Sequence, residues 1–129
     1  MKENLNILLV EDDLINQKVA VSILKRKGHT ITIAENGEIG VDYYIKYQYD
    51  VILMDIQMPV MDGIEATKII RKKEKEIGKK IIIIAVTAYS LDKDRERIMA
   101  AGMDNYLSKP YKPSDLHNII EDTLNKKQI

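Results

Sequence analysis

The sequence predicts an α/β fold in which a five-stranded parallel sheet is covered by helices on both faces. Three short apolar runs, residues 7–10, 51–54 and 81–86, are rich in branched side chains and end at polar residues. Such runs are typical of strands that are buried on both faces. Helical patterns fill the gaps between them, so the predicted order is βαβαβαβαβα.

The remaining elements follow from weaker patterns. Residues 30–34 follow Gly28 and residues 105–108 follow Gly102, and both segments are predicted as strands. The first helix is expected from about residue 14 to residue 27, and Pro113 suits the first turn of the last helix. Each helix is predicted from apolar residues that share one face. In chain order, the five sets of apolar residues, one for each helix, are Ala20, Ile23 and Leu24; Val41, Tyr44 and Ile45; Ile64, Ala66, Ile69 and Ile70; Leu91, Ile98, Met99 and Met103; and Leu116, Ile119, Ile120 and Leu124.

Length and composition indicate one domain spanning residues 1–129. The 20 basic and 20 acidic residues balance, which argues against a protein that binds nucleic acid directly through net charge. The absence of cysteine excludes a disulfide framework, a thiolate metal site and a cysteine nucleophile. No apolar run approaches the roughly 20 residues that cross a bilayer, so we expect no membrane segment and a cytoplasmic location.

Some polar residues are assigned to the surface. The basic run at residues 71–73 is expected to be solvated, as charge runs usually are. His29 follows Gly28 in a turn, and His117 lies near the polar face of the last helix, so both are expected at the surface.

Residues whose side chains can react or bind a metal follow the predicted strands, at the edge where open α/β sheets bind ligands. They are Glu11, Asp12 and Asp13 after the first strand, Asp55 after the third, Thr87 after the fourth and Lys109 after the fifth. Asp13 is interpreted as the N-cap of the following helix. Glu11 and Asp12 packed beside Asp55 would repel one another, and a hard cation such as Mg²⁺ would compensate that repulsion.

This set of groups suits phosphoryl transfer. A carboxylate can act as the nucleophile and form an aspartyl phosphate. Mg²⁺ and the Lys109 ammonium would stabilise the negative charge of the transition state. The Thr87 hydroxyl can bind a further phosphoryl oxygen.

The motifs resemble those of response-regulator receiver domains over essentially the whole chain. They are residues 7–13 (ILLVEDD), 54–63 (MDIQMPVMDG), 85–88 (AVTA) and 106–110 (YLSKP). The resemblance implies a flavodoxin-like doubly wound (βα)₅ fold with strand order 2-1-3-4-5. It also implies that Asp55 is the phosphoacceptor.

The resemblance implies roles for the other residues of this edge. Asp12 would bind Mg²⁺ directly and Glu11 through water, with the backbone carbonyl of Gln57 as a further ligand. Thr87 and Lys109 would bind the phosphoryl oxygens, and Thr87 with Tyr106 would form a switch acting on helix 4, strand 5 and helix 5. The bond before Pro110 is expected to be cis, as in relatives.

The sequence of residues 57–67, together with Asn16 and Gln17, most resembles the receivers of hybrid sensor histidine kinases. This implies a phosphorelay partner, either a histidine kinase or a histidine phosphotransfer domain. The acidic pair is Glu-Asp, where many relatives have Asp-Asp. This departure bears only on how the water shell of the metal would be held. The chain is expected to catalyse its own phosphorylation and dephosphorylation, and it is not assigned as a turnover enzyme in itself.

Three alternative functions fit the sequence less well. A flavin-binding electron carrier would need a phosphate loop after the first strand, where this chain has three acids. A phosphatase that works through an aspartyl phosphate needs a second carboxylate two residues after the nucleophile, where this chain has Gln57. A domain that keeps the fold without phosphorylation has no need of Asp12, Asp55, Thr87 and Lys109 together.

Overall fold

A computed structural model of the chain describes the backbone of residues 4–88 and 91–128, and the side chains of residues 4–88 and 94–126. Within those ranges the backbone forms five strands and five helices that alternate as predicted. The elements are β1 (Asn6–Val10), α1 (Leu14–Arg26), β2 (Thr30–Ala34), α2 (Gly37–Lys46), β3 (Val51–Asp55), α3 (Gly63–Ile77), β4 (Ile82–Thr87), α4 (Leu91–Ala101), β5 (Asn105–Ser108) and α5 (Pro113–Gln128). No described helix has the length and apolar character that spanning a membrane requires.

The described strands form one parallel sheet in the order β2-β1-β3-β4-β5. β1 pairs with both β2 and β3, so that Val10 lies between Ala34 and Met54. β3 pairs with β4 and β4 with β5. The predicted doubly wound fold and its strand order are therefore confirmed.

Alternate residues of each strand point to opposite faces, and each face has its own core. Leu8 and Val10 of β1 pack on the side of α2, α3 and α4, while Ile7 and Leu9 pack on the side of α1 and α5. Full burial of one such side chain contributes about 1.5–3 kcal/mol. The two cores together fix the strand register, because a slip of one residue would exchange the faces.

Local polar contacts set the starts of three helices. The Asp13 side chain accepts a hydrogen bond from the Asn16 N–H at 3.0 Å, which confirms the predicted N-cap of α1. Asn36 caps α2 and Asp62 caps α3 in the same way. Pro113 is the first residue of α5, also as predicted.

Two side chains that were predicted to pack in the core are exposed. Ile45 of α2 and Met99 of α4 point to solvent, while their neighbours Tyr44 and Ile98 are buried. Met103 is buried but lies after the end of α4. The side chain of Leu91 lies outside the described residues.

Arg71 is not the solvated residue that the basic run predicted. Its guanidinium donates to the Gly102 carbonyl at 2.7 Å, to Glu74 at 2.7 Å, to the Ile81 carbonyl at 2.6 Å and to Asp104 at 2.8 Å. Asp104 also accepts the Ile83 N–H at 2.9 Å. These bonds join α3 to the start of β4 and to the turn between α4 and β5.

His29 is also less exposed than predicted. Its Nδ1 accepts a hydrogen bond from the backbone N–H of Leu5 at 3.0 Å, just before β1 begins. Burial, followed by the nearby charges of His117 and Lys27, lowers the pKa of His29. His117 is likewise half-buried, and burial lowers its pKa too.

This contact predicts a pH dependence of stability. The unfolded chain binds a proton on His29 near its ordinary pKa of about 6.5, whereas the folded chain binds it only at lower pH. The contribution of His29 to the free energy of unfolding is therefore complete above pH 6.5 or so, and is lost as the pH falls through the folded-state pKa. Urea unfolding between pH 5 and pH 8 measures this loss.

The matched control is His29→Asn, whose amide oxygen can accept the Leu5 N–H without titrating. The variant should lose less stability than the original protein as the pH is lowered. Equal losses in the two proteins would show that the contact between His29 and Leu5 does not contribute to the pH dependence of stability.

Candidate functional site

Three carboxylates meet at the carboxyl edge of the sheet. Glu11 and Asp12 follow β1 directly, and Asp55 is the last residue of β3, the strand beside it. One carboxylate oxygen from each lies within 4.8 Å of the others. Glu11 and Asp55 are buried, while Asp12 faces solvent. The sequence predicted this cluster, and the parallel order of β1 and β3 explains it.

Lys109 joins the cluster from the end of β5. Its Nζ lies 2.6 Å from Oε1 of Glu11 and 3.5 Å from Oδ2 of Asp55. The backbone N–H of Lys109 donates to the Thr87 carbonyl at 2.8 Å, which ties the start of the β5–α5 loop to the end of β4. The bond between Lys109 and Pro110 is cis, as expected.

The electrostatics of the cluster favour a cation. Burial, then hydrogen bonding to Asp55, raises the pKa of Glu11, and the Lys109 ammonium opposes that rise. Burial is also the largest cause that raises the pKa of Asp12. The three described carboxylates against one ammonium leave two negative charges in excess when all are ionised. An all-oxygen, partly exposed donor set of this charge fits Mg²⁺.

The loop after β3 forms one wall of the site. The Gln57 N–H donates to Oδ1 of Asp55 at 3.3 Å, and the Gly63 N–H donates to the Ile56 carbonyl at 2.9 Å. Val60 takes a positive φ of 71° where the loop turns back. An open groove of about 400 Å³ lies between Asp12 and this loop, with Gln57 among its lining residues. The site is therefore accessible from the side of Asp12.

Two residues that position the site were not identified from the sequence. A Cβ on Gly63 would lie 2.0 Å from the carbonyl oxygen of Asp55, so a larger residue would displace the end of β3. The buried Gln17 amide donates to the Glu11 carbonyl at 2.7 Å and holds the acidic loop against α1. Gln17 shares a helix face with Ala20 and Leu24, and a polar residue on that apolar face is the pattern that could have found it.

Thr87 and Tyr106 lie on neighbouring strands near the cluster. Thr87 ends β4 and is almost fully buried. Tyr106 pairs in register with Ala85, two residues before Thr87. Thr87 and Ala85 therefore point to the same face, where the Tyr106 ring packs half-buried against the core. The Arg95 guanidinium carbon of α4 lies 5.8 Å from the centroid of that ring.

Comparison with known proteins places these features in a family. The model of the response regulator receiver domain matches residues 7–121. Hybrid signal transduction histidine kinase I of Dictyostelium discoideum is 41% identical in an alignment of 125 positions that covers 93% of this chain and 7% of the kinase. Probable histidine kinase 1 of Oryza sativa subsp. indica is 38% identical in an alignment of 147 positions that covers 92% of this chain and 15% of that protein. The chain thus corresponds to a small part of these relatives.

Solved structures agree with this result. The receiver domain of sensor histidine kinase PA1611 from Pseudomonas aeruginosa, with a magnesium ion coordinated in its active-site cleft, matches with a TM-score of 0.86 and 40% identity over 95% of this chain and 98% of that one. The co-crystal structure of the Saccharomyces cerevisiae histidine phosphotransfer protein Ypd1 and the receiver domain of Ssk1 contains a match with a TM-score of 0.89 and 31% identity. That match covers 100% of this chain and 94% of the other. The family model, the strand order and the acidic edge agree, and the chain belongs to the response regulator receiver domain family.

Proposed function

We propose that Asp55 accepts a phosphoryl group from a phosphohistidine on a partner histidine kinase or histidine phosphotransfer domain. The observation that carries the proposal is the buried Asp55 carboxylate, with Lys109 3.5 Å away and Glu11 and Asp12 beside it. We also propose that residues 1–129 constitute a single receiver domain. It would act in the cytoplasm, because the kinase that forms the phosphohistidine consumes ATP there.

In the proposed reaction an Asp55 oxygen attacks the phosphorus atom. The bond between phosphorus and the imidazole nitrogen of the donor breaks, and the imidazole leaves with the electron pair of that bond. The Lys109 ammonium, which lies 3.5 Å from Asp55, would stabilise charge on the equatorial oxygens, and the Thr87 hydroxyl would donate to one of them. Bound Mg²⁺ would supply further positive charge, held by Asp12, Asp55 and the Gln57 carbonyl, with Glu11 acting through water.

The surface beside the site suits a protein donor. Leu14, Ile15 and Val19 of α1 are exposed, although large apolar side chains usually pack inside. Leu14 comes two residues after Asp12, so a partner that covers this surface would bring its phosphohistidine to the acidic edge. The relative that was crystallised with Ypd1 supports a phosphotransfer partner of this kind.

The proposed signal is a change in packing behind β4. A phosphoryl group on Asp55 adds negative charge and strong acceptor oxygens, which would draw the Thr87 hydroxyl toward them. That movement would free space for the Tyr106 ring to turn inward, away from Arg95. The surface formed by α4, β5 and α5 would then change through a shift between two existing conformations.

The phosphoacceptor prediction is tested with acetyl phosphate and Mg²⁺. One phosphoryl group should appear on Asp55 in peptide mass spectra, and Asp55→Asn should abolish it because an amide is a far weaker nucleophile. Asp13→Asn is the matched control, because asparagine also caps a helix and Asp13 lies outside the cluster. An adduct at another residue, or full labelling of Asp55→Asn, would refute the assignment.

The metal prediction separates binding from transfer. Chelation of divalent cations should abolish phosphorylation, and Asp12→Ala should weaken Mg²⁺ binding by about tenfold or more. Lys109→Ala should keep Mg²⁺ binding, because it removes a positive charge, yet slow phosphorylation by about 10²-fold. Calorimetric titration and labelling kinetics measure the two effects. Undiminished phosphorylation in excess chelator would exclude the metal role.

The switch prediction uses Thr87→Ala. This variant should still be phosphorylated on Asp55 but should lose most of the amide shift changes in α4 and β5 that beryllofluoride causes in the original protein. Ser108→Ala is the matched control, since Ser108 is the exposed hydroxyl residue paired with Thr87 across β4 and β5. A full response in Thr87→Ala would mean that the switch runs through another residue.

A further inference from the structure

A second surface feature lies at the opposite edge of the sheet from Asp55. It is a groove of about 320 Å³ between the carboxyl ends of α2 and α3, next to the starts of β3 and β4. We call it the lower groove, and its defining residues are Ile45, Tyr47, Tyr49, Ile77, Lys79 and Lys80. The phosphoryl-transfer residues do not line it, so the proposed function leaves it without a role.

Several large apolar side chains line the lower groove and remain exposed. Ile45, Tyr47 and Ile77 are 49%, 58% and 48% exposed, and the buried Ile81 lies among the lining residues. Exposed apolar side chains are ordinary when scattered, but their concentration in one concave site marks an interaction surface. Ile45 is the residue that the helical pattern predicted for the core, and here it faces the groove instead.

Tyrosines make one wall of the groove and are held in place. Four of the seven tyrosines of the chain fall within residues 43–49. The rings of Tyr43 and Tyr47 meet edge to face, with centroids 6.0 Å apart. Tyr47 and Tyr49 also line a second hollow of about 320 Å³ on the side of Thr32. Tyrosine is one of the residue types enriched among those that carry most of the binding energy at protein interfaces.

The charge of the groove is basic. Residues 71–80 carry six basic and two acidic side chains, in a chain whose formal net charge is zero. Arg71 and Glu74 form an ion pair with each other within the fold, and Lys46 is paired with Asp42 at 3.1 Å. Lys79 and Lys80 follow the C-cap Gly78 and have no ion-pair partner among the described residues. Their charges are therefore available to a ligand.

We propose that the lower groove binds an acidic segment of a partner protein, anchored by one large apolar side chain. Ile45, Ile77 and Ile81 can contact a leucine or phenylalanine side chain, whereas a sugar-phosphate backbone would leave them uncovered. Lys79 and Lys80 can pair with carboxylates on either side of that apolar side chain. Because the groove and Asp55 lie at opposite edges, this partner and a phosphodonor can bind at the same time. The proposal does not depend on phosphorylation of Asp55.

The test is a ¹⁵N NMR titration of the full chain with the peptide acetyl-Glu-Asp-Glu-Leu-Phe-Asp-Glu-amide. Amide shifts should change at Tyr47, Tyr49 and residues 77–81, and should not change at Asp55. Tyr47→Ser, and Lys79→Glu combined with Lys80→Glu, should each weaken binding by about tenfold or more. Val60→Ser is the matched control, because Val60 is exposed and distant from the groove.

Two control probes separate the parts of the recognition. Serine in place of the leucine and phenylalanine of the peptide, or lysine in place of its acids, should abolish the shifts. The amide spectrum outside the groove checks that each variant remains folded. No shifts with the acidic peptide, or shifts that the variants leave unchanged, would overturn the proposal. Shifts caused by a single-stranded oligothymidine instead, or by raising the protein concentration alone, would also overturn it, in favour of nucleic acid or a second copy.

Discussion

The ammonium of Lys109 between Glu11 and Asp55 is the contact on which the functional edge depends. Two carboxylates that are both buried repel each other, and each loses hydration, so their proximity needs a positive charge close by. Lys109 supplies it at 2.6 Å and 3.5 Å, from a strand that is not adjacent to β1 or β3. The contact therefore exists only when β4 and β5 have joined the sheet. The site is therefore assembled only when the fold is complete.

The positions of the chemical residues could be predicted because they depend on strand ends. A parallel sheet brings the residues after β1 and β3 to one edge whatever the helices do in detail. The proximity of Asp12 to Asp55 also needs β1 beside β3, and that strand order was implied by the family resemblance. The side chains of β1, β3 and β4 are almost wholly apolar, so their burial on both faces could be predicted. Asp13 followed from local chemistry, because capping involves only its own helix.

The side-chain positions that the sequence did not predict depend on contacts between distant segments. Arg71 sits in a basic run that reads as solvated, and only the packing of α3 on β4 shows that its guanidinium bonds to Gly102 and Asp104. His29 lies in a turn that was predicted to be at the surface, yet its Nδ1 accepts a hydrogen bond from the Leu5 N–H just before β1. Ile45 has the right helical spacing for the core, but α2 ends one residue later, and there Ile45 faces the open groove between α2 and α3. A periodic pattern gives a direction on a helix, whereas burial depends on what lies in that direction.

The Arg71 contacts also bear on how a change at Asp55 can spread. They fix the turn that joins α4 to β5, because Gly102 and Asp104 are both bonded to the guanidinium. The contact of α4 with the Tyr106 ring is weaker, since Arg95 is exposed and lies 5.8 Å from the ring centroid. The proposed rearrangement of Thr87 and Tyr106 would therefore act on a helix whose carboxyl end is held and whose Arg95 contact with the Tyr106 ring is exposed. Such a helix would pivot about its fixed end, so that a small movement at the strand ends would produce a larger change of surface.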